Sequence, residues 1–178
     1  ESAEVFLEDY TDEFQETFFE ALKQKGIENY DKAINLFLKC KSLDSTYNVV
    51  DFELAKSYLA NKQYVEAQQY GVEALKSEPE NFWYLNVVVE ILQKQGNSME
   101  MIEEQISFDN SKLIENLALI YFQKKNYQKA LNILKDMEDS SFKEALSLRI
   151  KDTLDRTKSI EEIKEVPPAQ NTDLNPLL

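Results

Sequence analysis

The sequence predicts an all-α protein in which pairs of helices stack one after another, and three observations support this. Hydrophobic residues recur at helical spacing along most of the chain. Glycine and proline, which mark tight turns, number only three and four in 178 residues. An aromatic residue followed three positions later by alanine occurs at Tyr30-x-x-Ala33, Tyr64-x-x-Ala67 and Tyr127-x-x-Ala130, and the first two alanines are 34 residues apart. A fixed period of this length is typical of a solenoid of helix pairs.

The N-terminal helix is predicted from an apolar side chain at every fourth position. This stripe consists of Phe6, Tyr10, Phe14, Phe18 and Leu22. It fits one long amphipathic helix, but Thr11 can also cap a new helix with acidic residues in its first turn. We expect a break at Thr11, so that residues 1–13 form a helical extension in front of the repeats.

Four units follow when the small residue is placed at position 20 of a 34-residue repeat. They cover 14–47, 48–81, 82–110 and 111–139. Each unit has a helix A followed by a helix B, which in the first unit are expected over about 14–25 and 30–41. The third unit is the least regular: Met101 replaces the small residue, and a short helix B is predicted from Met99 to about Ile106.

One more amphipathic helix is predicted over 141–158. At the end of a stack, such a helix can cover the open hydrophobic side of the last unit. Residues 159–178 contain Pro167-Pro168 and Asn175-Pro176, which are typical of a linker or a disordered tail. We expect this tail to lead into further sequence.

The chain is strongly acidic, with a formal net charge of −13 and a pI of about 4.5. Such a surface repels phosphate backbones, so nucleic acid is not expected as a partner. No apolar stretch is long enough to cross a bilayer, so membrane insertion is not expected either.

Residues that carry out chemistry are scarce. The chain has no histidine, which removes the commonest general base and the usual zinc ligand. Its one cysteine, Cys40, lies on the inner side of a predicted helix B and fits a buried, inert thiol. No glycine-rich phosphate loop and no calcium-binding spacing are found. We therefore expect no catalytic residue, no cofactor and no metal site.

The second unit resembles the tetratricopeptide repeat, abbreviated TPR. The matching residues are Leu54, Ala55, Tyr58, Ala67, Ala74 and Pro79. The fourth unit matches at Leu117, Ala118, Tyr121 and Ala130, and the first and third units match less well. The resemblance implies a right-handed α-α superhelix of about four helix pairs plus a terminal capping helix, with the A helices on the concave wall.

In this family, positions 2, 5, 9, 12 and 13 of helix A face the concave groove. The resemblance therefore implies a partner-binding groove that includes Phe52, Lys56, Leu59, Trp83, Asn86, Glu90, Glu115, Leu119 and Phe122. Two alternatives stay open: residues 1–12 or the tail pack against this face, or it belongs to an off-register core. The continuous N-terminal stripe favours a core position for Phe18.

Some family members bind the C-terminal carboxylate of a chaperone through Lys, Asn and Arg at set positions. The corresponding positions here hold Phe18, Leu22, Glu53, Trp83 and Val87. Because these residues lack the required donors, we do not expect this mode of binding.

The function implied is a non-catalytic scaffold that binds a peptide or partner domain on the helix A face. The alternative is an architectural segment that self-associates within a larger cell-envelope protein. The lysine-rich, arginine-poor composition resembles exported repeat proteins of Bacteroidetes, so a periplasmic or exported location is expected, with a cytoplasmic one as the alternative. Replacing Phe52 and Trp83 by alanine is expected to abolish partner binding and leave helix content unchanged.

Overall fold

The structure, a computed structural model, describes residues 2–98, 101 and 110–165, with side chains from residue 13 to residue 164 within these ranges. The helices are α1 Ser2–Gly26, α2 Tyr30–Leu43, α3 Asn48–Ala60, α4 Tyr64–Ser77, α5 Phe82–Lys94, α6 Ser111–Gln123, α7 Tyr127–Asp136 and α8 Ser141–Glu165. The described ranges contain no strand, which confirms the predicted all-α class.

The break expected at Thr11 is wrong, because α1 continues through this residue as one helix. The four-residue spacing of the apolar residues in the sequence does not change across this point, which is compatible with an uninterrupted helix. At the other end of the chain, α8 extends to Glu165, past the predicted end of the helix at residue 158. The helix B predicted for Met99–Ile106 lies outside the described residues except for Met101, which is helical.

The chain divides into two compact regions, residues 1–120 and 121–178. In the first compact region each helix packs on the next, from α1 to α5, and α3 also packs directly on α5. This order is that of a TPR-like solenoid: α1 with α2 and α3 with α4 form helix pairs, and the A helices α3 and α5 are neighbours. In the second compact region α7 packs on α8.

Small residues lie fully buried on the B helices. Ala33, Ala67 and Ala130 are fully buried, as the repeat predicts. On α4, Gly71 allows a further close approach, since a Cβ there would lie 3.2 Å from Ile91 Cδ1 and 3.3 Å from Val88 Cγ2. A larger side chain at any of these positions would separate helices that now bury their apolar stripes against each other.

The turn that follows helix A has the same backbone geometry in every unit. One residue of each turn adopts a left-handed conformation, namely Glu28 (φ 61°), Lys62 (φ 61°), Gly96 (φ 88°) and Lys125 (φ 60°). In all four turns the next backbone N–H donates to the carbonyl oxygen five residues earlier, at 2.9–3.0 Å. These are the geometry and hydrogen bond of a Schellman motif, which ends one helix and directs the chain into the next.

No helix of the described residues is both long and apolar enough to span a membrane.

Candidate protein-binding groove

On α3, the predicted groove residues lie along the side of the helix that reaches solvent, where Phe52 and Leu59 also pack against the edge of the core. Phe52, Lys56 and Leu59 are half-buried, and Val49, one turn earlier on the same side, is 37% exposed. The other side of α3 is fully buried and includes Leu54 and Ala55. The period of the helix thus separates a core face from a face that reaches solvent.

The equivalent side of α5 carries the most exposed aromatic residue of the predicted groove. Trp83 is 66% exposed, Asn86 is half-buried and Glu90 is exposed. The side chain of Asn81 caps this helix by accepting hydrogen bonds from the backbone N–H groups of Trp83 (3.1 Å) and Tyr84 (3.4 Å). The cap fixes the first turn of α5 and therefore the backbone that carries the indole.

An aromatic contact joins the two helices beneath these residues. The ring of Phe52 lies 4.7 Å from the ring of Tyr84, centroid to centroid, and the ammonium group of Lys56 lies 4.3 Å from the Phe52 centroid. The Tyr84 hydroxyl donates to Asn48 Oδ1 at 3.1 Å. This last hydrogen bond joins the first turn of α5 to the first turn of α3, and it was not predicted from the sequence. Phe52 is therefore part of the packing between α3 and α5, and its place in a groove stays a prediction.

Charges beside this contact are paired within the protein. The buried carboxylate of Glu53 accepts from Lys25 Nζ at 2.5 Å and from Lys56 Nζ at 2.8 Å. On the same helix, the buried carboxylate of Asp51 pairs with Lys41. Burial lowers the pKa of Lys56, and its hydrogen bond and charge attraction to Glu53 partly offset that effect.

The predicted groove residues on α6 are divided between the two compact regions. Glu115 pairs with Lys112 at 2.9 Å, and Leu119 is half-buried, both in the first compact region. Phe122 belongs to the second compact region, where its ring lies 5.8 Å from that of Tyr127 and 5.1 Å from the Arg149 guanidinium carbon. The placement of Phe122 in the groove stays a prediction.

Two neighbouring positions are settled by their contacts. Phe18 packs against the core, with its ring 6.1 Å from that of Phe14 and 5.7 Å from that of Phe37, in agreement with the core position that the stripe favours. Glu53, at a position for which the sequence comparison with chaperone-binding TPR proteins requires a donor, is an acceptor for two lysines. The alternative that residues 1–12 or the tail cover the groove concerns side chains outside the described part of the chain.

Two observations on the described residues concern metal binding and the cysteine. They contain no group of three or more Asp, Glu, Cys or His side chains that could hold a metal ion. Cys40 is fully buried, and burial raises the pKa of its thiol, which disfavours the reactive thiolate. That the protein is not an enzyme and binds no cofactor stays a prediction.

Comparison with models of protein families finds no match to this chain, and comparison with curated proteins finds none. Among solved structures, the chain is similar to the Sgt2 TPR domain from Aspergillus fumigatus, at 16% identity and a TM-score of 0.46, over 92% of this chain and 91% of that one. It is also similar to TTC0263, a thermophilic TPR protein in Thermus thermophilus, at 16% identity and a TM-score of 0.47, over 88% of this chain and 93% of that one. Since both TM-scores are below 0.5, the description of the fold depends on the helix pairs of this chain itself.

Proposed function

We propose that this protein is a non-catalytic scaffold that binds a peptide or a partner domain on the exposed face of its A helices. The observation that supports this most directly is the 66% exposure of Trp83, on the side of α5 that faces away from the core. Val49 is exposed at the equivalent position of α3, one repeat earlier. Large apolar side chains left exposed at repeated positions are a frequent feature of protein-binding surfaces.

The proposed binding surface is named the groove. It comprises residues 52–119 of the set implied by the repeat, namely Phe52, Lys56, Leu59, Trp83, Asn86, Glu90, Glu115 and Leu119; the sequence predicts Phe122 as a further member. The helices that carry these side chains do not have to be ordered when the partner binds, which limits the entropy cost of association.

Replacing Trp83 by alanine tests the proposal. We expect at least about a tenfold loss of affinity for a partner isolated with the natural protein, because a tryptophan that becomes buried on binding often contributes a large share of the binding free energy. Trp83 is mostly exposed, so the circular dichroism of the variant should be unchanged. Affinity would be measured by biolayer interferometry on the full chain.

Val65→Ala is the matched control, since Val65 is 76% exposed but lies on a B helix, α4. Equal binding by Trp83→Ala and the natural protein would refute the groove. Phe52→Ala is unsuitable as the main test, contrary to the expectation from sequence, because Phe52 packs on Tyr84 and the core, and its loss should also reduce stability.

A second candidate function is self-assembly within a larger cell-envelope protein. The specific observation is on α8, where Ile160 and Ile163 are 54% and 73% exposed although Leu146 and Ile150 earlier on the helix are buried. Sedimentation velocity at several concentrations would detect association, and Ile163→Glu should then prevent it. A concentration-independent monomer would exclude this function for the chain by itself.

A further inference from the structure

We infer that the groove recognises its partner through apolar and aromatic contacts and not through charge, so that its ligand is an uncharged, apolar stretch of another protein. This inference rests on the proposed function and specifies the chemistry of the partner. It follows from how the charged side chains around the exposed apolar residues are already used.

The ionised groups nearest the Phe52 ring already form ion pairs with one another. Glu53 accepts from Lys25 and Lys56 together, so the three carry a net charge of only +1. A carboxylate brought by a partner to these lysines would also approach the carboxylate of Glu53 and be repelled by it. In addition, the Lys56 ammonium already lies over the face of the Phe52 ring at 4.3 Å.

The other charges of this face cancel in neighbouring pairs. Lys112 and Glu115 are joined at 2.9 Å. On α5, Glu90 and Lys94 have opposite signs and are one helical turn apart. The whole face therefore carries a charge close to zero in a protein whose formal net charge is −13.

What this face leaves open to a partner is apolar surface, even though the Trp83 ring contacts that of Phe82 at 5.3 Å, centroid to centroid. Val49 and Trp83 are exposed at equivalent positions, and Phe52, Leu59 and Leu119 are half-buried. A charged partner residue would lose hydration here and would meet at most the single excess positive charge of Lys25, Lys56 and Glu53, beside a carboxylate of like sign to an acidic partner, which is costly. An aliphatic or aromatic residue would gain free energy from burial.

A random 12-residue peptide library displayed on phage and selected on the full chain would test this inference. The most enriched peptide would be synthesised, and its Kd measured by fluorescence anisotropy at about 50 and 500 mM NaCl, a range that alters charge screening strongly. The proteins compared would be the natural chain, Trp83→Ala, Lys56→Gln and the control Val65→Ala. Glutamine at position 56 can still donate to Glu53, and circular dichroism would confirm that the variant folds.

We expect enriched peptides with aromatic or aliphatic residues and no excess of charged ones. Their Kd should change less than about twofold with salt and less than about threefold in Lys56→Gln, but should rise at least about tenfold in Trp83→Ala. Peptides that share acidic or basic residues, with a Kd weakened about tenfold or more by salt, would overturn the inference; if they still required Trp83, the proposed function would stand. If no enriched peptide depends on Trp83, both proposals fall.

Discussion

At the scale of single residues, the fold depends on alanines that are too small to hold two helices apart. Ala33 and Ala67 have no exposed surface, and each lies one turn inside the start of a B helix. The sequence identified them because each follows a tyrosine by three residues and the two copies of this motif are 34 residues apart. Their burial is what allows α2 and α4 to pack closely on α1 and α3.

Ala67→Leu should destabilise the protein by about 1–3 kcal/mol, since the added atoms must displace packed neighbours. Urea denaturation followed by circular dichroism would measure the change. Ala60→Leu is the control, because Ala60 is exposed at the end of α3. Equal stabilities of the two variants would contradict the close approach of the helices at Ala67.

Glu78 gives a prediction for pH. Its carboxylate accepts from Asn81 Nδ2 at 2.9 Å and from Asn48 Nδ2 at 2.6 Å, and these bonds lower its pKa below the ordinary value of 4.5. A lowered pKa in the folded state means that the stabilisation is present above 4.5 and is lost as the pH falls through the folded pKa.

We therefore expect Glu78→Gln to be less stable than the natural protein near pH 7 and the difference to shrink in acid, measured by urea unfolding at several pH values. Glu80→Gln serves as a comparison, since its side chain is also exposed. A difference between Glu78→Gln and the natural protein that is constant with pH would show that the hydrogen bonds do not depend on ionisation.

At the scale of helices, the shared turn is the feature that sequence reasoning missed. Only the third unit has glycine at the left-handed position, and the other three have Glu28, Lys62 and Lys125. Side chains with a Cβ are unfavourable in this conformation, so composition alone gives no sign of the motif. Its repetition at 28, 62 and 96 becomes visible only when the backbone angles are known.

Lys62→Gly should stabilise the protein by about 0.5–1 kcal/mol, because glycine adopts the left-handed conformation without steric cost. Lys62→Ala retains the Cβ and removes the rest of the side chain, so it should not produce this gain. Thermal and urea unfolding would compare the two variants. A gain in the alanine variant as large as in the glycine variant would assign the effect to the lysine side chain instead of the backbone.

The helix pairs were predictable from the sequence because one period carries the same information in several copies. Helices α2 and α4 begin at Tyr30 and Tyr64, the aromatic residues of the motif. The continuity of α1 at Thr11 was not predictable, since a capping residue and a helix interior are both compatible with threonine. For the groove, the period places Trp83 and Glu90 on one face of α5, but the contact of Phe52 with Tyr84 depends on how the neighbouring helix packs.

At the scale of the whole molecule, 33 acidic residues outnumber 20 basic ones, so ion pairs within the protein leave a net charge of −13. Repulsion among these charges favours the more expanded, unfolded chain, and salt screens it.

The melting temperature should therefore rise by roughly 2–5 °C between about 10 and 300 mM NaCl, as measured by differential scanning calorimetry. Potassium chloride at the same ionic strength should give the same rise if screening is the cause. A melting temperature that falls with added salt would mean that attractive pairs such as Lys25 with Glu53 outweigh the repulsion.

The position of Trp83 has a practical consequence. It is the one tryptophan of the chain, and its indole is mostly exposed to water. Its fluorescence therefore reports on a single location, and a ligand that excludes water from this ring should shift the emission to shorter wavelength. The protein thus carries an intrinsic optical probe, with which occupancy can be followed in solution without attaching a dye.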